Sequence, residues 1–216
     1  MLEELNVNEN SLVKLSKRDF RIMSFLRRMA IDLEPVKSSR IAAAVVIKGN
    51  IISLGSCSRR THPFQKRFAK NPEAIYLHAE TNAINNSFQD LEGAKMYVTL
   101  EPCNHYGKTP PCTKSIIRSG IKEVFYSIND IDNKVKGKSY KILTKKKIEV
   151  KKGLLKKEVL DHYESYIINR KKKLPYITGK IAVSKNELIY SQGTKRITDE
   201  VSDKLSHYLR LKNDAI

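Results

Sequence analysis

His78-Ala79-Glu80 and, further along, Glu101-Pro102-Cys103 and Cys112 are the residues whose types and spacing could carry chemistry. One imidazole and two thiolates supply three ligands of a tetrahedral zinc ion and leave the fourth position for water, which is the arrangement of a catalytic site rather than a closed structural one. Such an ion brings the pKa of that water towards neutrality. Glu80 stands two residues from His78. With His78 at the N-terminus of a helix, its carboxylate reaches the water, takes a proton, and passes it to a ring nitrogen and then to a departing amine. Cys112 is expected to open a helix, where unpaired backbone N–H groups and the positive end of the dipole favour a thiolate. Three cysteines, Cys57 being the third, make an odd count behind a start that does not read as a signal peptide, so metal binding or a free thiol is the expectation rather than a disulfide.

The elements that must position these residues follow from hydrophobic period. Residues 17–33 place Phe20, Met23, Leu26, Met29, Ala30 and Leu33 at helical spacing, and Pro35 ends the helix. Residues 41–48 and 51–55, separated by Gly49-Asn50, predict a β-hairpin with one strand well buried. Residues 59–74 are polar, hold two prolines and read as a loop over the site. Beyond it the chain alternates: helix 78–87, strand 95–100, helix 112–119 stopped by Gly120, strand 122–128, helix 139–147, strand 148–151, helix 154–169. That order predicts an α/β fold with a central sheet and helices on both faces. Arg170–Lys173 reads as a basic linker, and the remainder as a strand pair followed by a helix that Thr198 or Asp199 caps. Three such elements cannot bury a core of their own.

Composition narrows the function classes. The 216 residues, 40% hydrophobic and 30% charged, suit an ordinary soluble domain and exclude collagen-like and low-complexity chains. No apolar run approaches the roughly 18 residues of a membrane span, and the first residues are acidic and polar where a signal peptide is basic and then apolar. A cytoplasmic location is the expectation. The net charge of +18 points to an anionic partner, a nucleic acid, a nucleotide or a phosphorylated metabolite. Residues 133–173 hold 15 basic and 4 acidic side chains with few aromatics among them, and base-stacking platforms need interspersed aromatics. A solvated Lys-rich surface is the better account than a nucleic-acid patch.

H-x-E followed by P-C and a second cysteine is the pattern of zinc-dependent base deaminases. Most of these keep two residues between the cysteines, and here there are eight, Asn104 to Pro111. Residues 96–112, M-Y-V-T-L-E-P-C-N-H-Y-G-K-T-P-P-C, resemble the deaminase half of the bifunctional riboflavin-biosynthesis deaminase/reductases, and the similarity runs on through Gly120-Ile121. L-P-Y-I-T-G-K-I-A-V-S from Leu174 resembles the first strand of the reductase domain, and Ile197-Thr198-Asp199-Glu200 the start of its first helix. The resemblance implies a three-layer cytidine-deaminase-like fold with a short C-terminal extension. The implied domains are a tail at 1–16, a deaminase at 17–169, a linker at 170–173 and a truncated reductase-like segment at 174–216.

It also implies hydrolytic deamination of a diaminohydroxypyrimidine bearing a phosphorylated ribosylamino group. His78, Cys103 and Cys112 would hold Zn2+, Glu80 would shuttle protons, and Lys108, Thr109 and His105 would meet the substrate. The family's Asn-Pro-x-Val-Gly, whose Asn touches the substrate ring, is replaced here by residues 38–43, S-S-R-I-A-A. Residues 40–88 look more like small nucleotide deaminases, which keeps a cytidylate or deoxycytidylate deaminase as the alternative. A nucleic-acid module with structural zinc is a third reading. No reductase activity is expected of a segment of about 40 residues, and its surface would favour self-association.

Overall fold

The computed structural model describes residues 15–32, 40–57, 77–107, 109–189 and 197–211. Its elements are α1 (Lys17–Asp32), β1 (Ala42–Ile47), β2 (Asn50–Ser56), α2 (Ala79–Asn85), β3 (Lys95–Leu100), α3 (Cys112–Arg118) and β4 (Glu123–Ile128). They continue with α4 (Lys138–Lys145), β5 (Glu149–Lys152), α5 (Lys156–His162), α6 (Glu164–Lys172) and α7 (Glu200–Leu211). The strands form one mixed sheet in the order β2-β1-β3-β4-β5. β1 is antiparallel to both β2 and β3, whereas β3, β4 and β5 run parallel.

Alternation along the strands divides the core. Ala43, Val45, Met96, Val98, Val124 and Tyr126 face Ala79 and Ala83 of α2, Ile116 of α3 and Leu143 of α4. Ala42, Ala44, Val46, Tyr97 and Phe125 face Ile22, Met23, Leu26 and Ala30 of α1. Burial on both faces explains why β1 reads as an unbroken apolar run rather than an alternating one, and the result is the three-layer α/β arrangement expected. α1 starts with a reciprocal cap, in which Asp19 N donates to Ser16 Oγ at 3.2 Å and Ser16 N to Asp19 Oδ2 at 2.7 Å.

Three expectations change. The hairpin turn is Lys48-Gly49, one residue earlier than predicted: Ile47 pairs with Asn50 and both turn residues have positive φ, 49° and 84°, as a two-residue type I′ turn requires. The single helix expected over 154–169 breaks at Tyr163, and Arg170–Lys172 continue α6 as its last turn rather than leaving it as a linker, with Lys173 as a left-handed C-cap. Residues 174–189 contain no strand, so the predicted strand pair does not form there; two strands without a third surface to pack on have little to hold them. α7 does form, and Asp199 Oδ1 accepts from Ser202 N at 2.7 Å, which makes Asp199 the capping residue. Pro35 and the loop 59–74 lie outside the described residues.

Candidate metal centre

His78 is the N-cap of α2, in extended conformation, and Glu80 sits in the first turn. The helix can approach this closely because β2 carries Gly55 beneath it: a Cβ there would stand 2.1 Å from Ala79 O and 2.3 Å from Ala83 N. Asn82 Nδ2 ties the same turn to Ser56 O at 3.1 Å. Cys103 lies three residues past β3, and Cys112 is the first residue of α3, after Pro111 as N-cap. Thr113 N donates to Cys103 O at 3.1 Å, so the chain from 103 to 112 is closed at its base.

These elements bring three ligand atoms together. His78 Nδ1 is 3.3 Å from both Cys103 Sγ and Cys112 Sγ, and all three atoms lie within 4.8 Å of one another. Cys112 N donates to Cys103 Sγ at 3.3 Å. The N–H exposed at the start of α3 therefore serves the sulfur of Cys103, not that of Cys112 as the sequence suggested. Hydrogen bonding from Cys112 and His78 holds the Cys103 thiol well below its usual range, while the bond to Cys103, burial and the Glu80 charge push Cys112 up. His78 is raised by its bond to Cys103, against the effect of burial.

Glu80 is buried, 2% exposed, and its Oε2 has no partner among the described residues. Burial, and then the charge on Cys103, push its carboxyl up to about 7. One nitrogen and two sulfurs at this separation, beside a buried carboxylate oxygen without a partner, fit a tetrahedral zinc ion with one open position. Three N/S donors do not close such a site.

Glu101, to which the sequence motif assigns no role, has one in the structure. Its carboxylate accepts from Asp130 N at 3.2 Å, Gly137 N at 3.0 Å and Ser139 N at 3.2 Å. Asn104 Nδ2 donates to Val135 O and Ser139 Oγ, both at 3.2 Å, and Ser139 Oγ donates to Pro102 O. The segment carrying Cys103 is thereby fixed to the loop between β4 and α4. Only a carboxylate followed by N–H-rich turns far along the chain hinted at this. His105 is half-buried with its Nδ1 unpaired among the described residues, and Thr109 O accepts from Gly107 N at 3.2 Å. Lys108 lies outside the described residues. Cys57 is buried at the end of β2 and is not in the set of three.

A mixed sheet that carries one histidine and two cysteines on the starts of two helices and one strand-end loop defines a class. Residues 16–128 match the family model described as the cytidine and deoxycytidylate deaminase zinc-binding region, and the chain belongs to that family. Its relatives place it on the branch of the diaminohydroxyphosphoribosylaminopyrimidine deaminases. It is 35% identical over 156 residues to the deaminase of that name from Buchnera aphidicola subsp. Acyrthosiphon pisum, covering 70% of this chain and 97% of that one. With the riboflavin biosynthesis protein RibD of Aquifex aeolicus it shares 34% identity over 178 residues, 82% of this chain and 46% of the relative.

A solved diaminohydroxyphosphoribosylaminopyrimidine deaminase/5-amino-6-(5-phosphoribosylamino)uracil reductase from Thermotoga maritima superposes with a TM-score of 0.71 at 33% identity. That match covers 88% of this chain and 53% of the other. The chain thus spans about half the length of the bifunctional relatives it matches. Among the described residues no helix is long and apolar enough to cross a membrane.

Proposed function

We propose that this chain is a zinc-dependent hydrolytic deaminase acting on a phosphorylated diaminohydroxypyrimidine of riboflavin biosynthesis. The observation that carries the reading is the meeting of His78 Nδ1, Cys103 Sγ and Cys112 Sγ beside the buried Oε2 of Glu80. The eight-residue spacing between the cysteines and the relatives named above favour this substrate class over deoxycytidylate.

His78, Cys103 and Cys112 would hold the ion. Zinc supplies Lewis acidity, which lowers the pKa of water at the open position towards neutrality. Glu80 would take a proton from the attacking water as the water's oxygen bonds to the ring carbon bearing the amino group, and would hand that proton to the adjacent ring nitrogen. It then carries the second proton to the departing amine. The carbon–nitrogen bond breaks, ammonia leaves, and the carbon keeps the oxygen as a carbonyl. Lys108, Thr109 and His105, all between the two cysteines, meet the substrate, Lys108 through its charge on the phosphate. Residues 17–169 form the deaminase unit, 1–16 a tail, and 174–216 a reductase-like segment beginning past the basic residues 170–173.

The test is metal analysis with an ammonia assay over a panel of pyrimidine nucleotides, on wild type and Glu80→Gln. Expected are one zinc per chain in both proteins, turnover of the diaminohydroxypyrimidine by wild type, and a loss of about 10³-fold in the variant. Turnover of deoxycytidylate alone would establish the alternative. Retained activity in Glu80→Gln removes the proton shuttle, and salt-dependent oligonucleotide binding without deamination would point to the structural-zinc reading.

A further inference from the structure

The start of β1 lies between the two halves of the metal centre. Ala42 pairs with Ser56 on β2, which Asn82 ties to the first turns of α2, below His78 and Glu80. On its other side Ala43 pairs with Val98 of β3, the strand that leads to Cys103. What holds this start in place comes from the break between α5 and α6.

Tyr163 is 1% exposed, and its hydroxyl donates to Arg40 O at 2.9 Å. A phenol has one proton, so the 2.7 Å contact with Thr99 Oγ1 is a donation from the threonine. Thr99 Oγ1 in turn accepts from Ala42 N at 3.2 Å. The bonds form a chain that leaves β1 at the Ala42 N–H, passes through Thr99 and Tyr163, and returns at the Arg40 carbonyl. Bonds in such a sequence polarise one another. His162 Nε2 adds a second contact to Arg40 O at 3.3 Å, and its ring meets that of Tyr163 edge-on at 4.7 Å. Burial, against the bond from Thr99 and with smaller contributions from the Glu80 and Cys57 charges, holds the Tyr163 phenol far above its ordinary range, so the proton stays in the chain.

None of these bonds involves His78, Cys103 or Cys112, yet they anchor residues 40–42, where β1 begins between β2 beside α2 and β3 leading to Cys103. We infer that Tyr163 is a positioning residue for the pyrimidine ring: through Thr99 and the Arg40 carbonyl it fixes the start of β1 as one wall of the substrate site. The inference rests on the deaminase reading above for its substrate, and on the hydrogen-bond chain alone for its geometry.

Tyr163→Phe removes one oxygen and keeps the ring. Expected are a KM for the diaminohydroxypyrimidine raised about tenfold, kcat within about twofold of wild type, and unchanged zinc content. Thr99→Val should give a similar KM, and the double variant no more than the larger single effect, since both act through one chain. A purely structural tyrosine predicts a different outcome, with kcat falling in step with zinc content and no change in KM, and that result would overturn the inference.

Amide hydrogen exchange reads the geometry without substrate. The Ala42 amide should exchange at least tenfold faster in Tyr163→Phe, with Val98 and Val124 unchanged, and equal exchange at Ala42 overturns the inference. If wild type deaminates no pyrimidine, the deaminase reading fails, and the exchange arm still decides whether Tyr163 sets this wall.

Discussion

At the scale of single residues, the two cysteines of the set are chemically unlike. Both sulfurs lie 3.3 Å from His78 Nδ1, but only Cys103 takes the N–H of Cys112, while Cys112 is fully buried and feels the Glu80 charge. A thiolate is the nucleophile towards alkylating agents, and its fraction follows pKa. Chelator-treated protein should therefore be alkylated at Cys103 first at neutral pH, with Cys112 and the buried Cys57 slow, and zinc should protect all of Cys103. Mass spectrometry of the labelled peptides checks this, and equal labelling of Cys103 and Cys112 would contradict the asymmetry. That His78, Cys103 and Cys112 meet beside Glu80 was legible in sequence because one pattern, H-x-E with P-C and a helix-opening Cys, brings their types together. The roles of Glu101 and Tyr163 were not: their partners lie 29 to 123 positions away, and nothing in local periodicity marks a side chain that bonds to a distant backbone.

At the scale of elements, α2 is placed by what β2 lacks. Gly55 has ordinary backbone angles, so its smallness and not its flexibility matters, and a methyl group there would meet Ala79 O and Ala83 N well inside contact distance. Gly55→Ala should displace the helix carrying His78 and Glu80 and destabilise the fold by about 1–3 kcal/mol, with zinc affinity falling as well. Thermal unfolding and competition with a chelator measure the two effects; an unchanged zinc affinity would mean that α2 is held by other contacts. The five strands and the helices α1 to α4 could be placed from period and turn residues, within a residue or two. The break at Tyr163 could not, because α5 and α6 together keep an unbroken helical pattern and the corner is held by Thr99 and Arg40. On the far side of that corner Tyr166 donates to Asp130 Oδ1 at 3.1 Å, so one bend grips both the start of β1 and the loop that Glu101 organises.

At the scale of the molecule, chemistry and stability occupy opposite ends of the sheet. The metal centre gathers where β3 ends. Where β3, β4 and β5 begin, Glu123 bridges Lys95 at 2.7 Å and Lys151 at 3.2 Å. Between those charges Phe125 stacks on Tyr97 with ring centroids 4.4 Å apart, and Tyr97 donates to Asp19 of α1 at 2.6 Å. Burial works to raise the Glu123 carboxyl, but the two lysines outweigh it and hold the group below its usual value. A depressed carboxylate contributes stability above its unfolded pKa, near 4.3, and loses it as pH falls through the folded value. Glu123→Gln should thus be less stable than wild type at pH 7 by a small margin, given partial exposure. The gap should close below about pH 4, and zinc content at pH 7 should be unchanged. Denaturant titrations at several pH values test this, and a gap that persists in acid would assign the effect to packing. The charge of +18 is not spent on this cluster, and most of the lysines of residues 133–173 are exposed.

The pinched base of the loop between the two cysteines has a consequence for how such a protein can diversify. Because Thr113 N closes onto Cys103 O and Cys112 N onto Cys103 Sγ, the donor atoms are secured below the tip, and the tip's own length is uncoupled from them. Grafting a shorter or longer tip onto this clamp would retune which molecule is admitted while His78, Cys103 and Cys112 keep their arrangement, so selectivity can drift in evolution without each step disturbing the donor set.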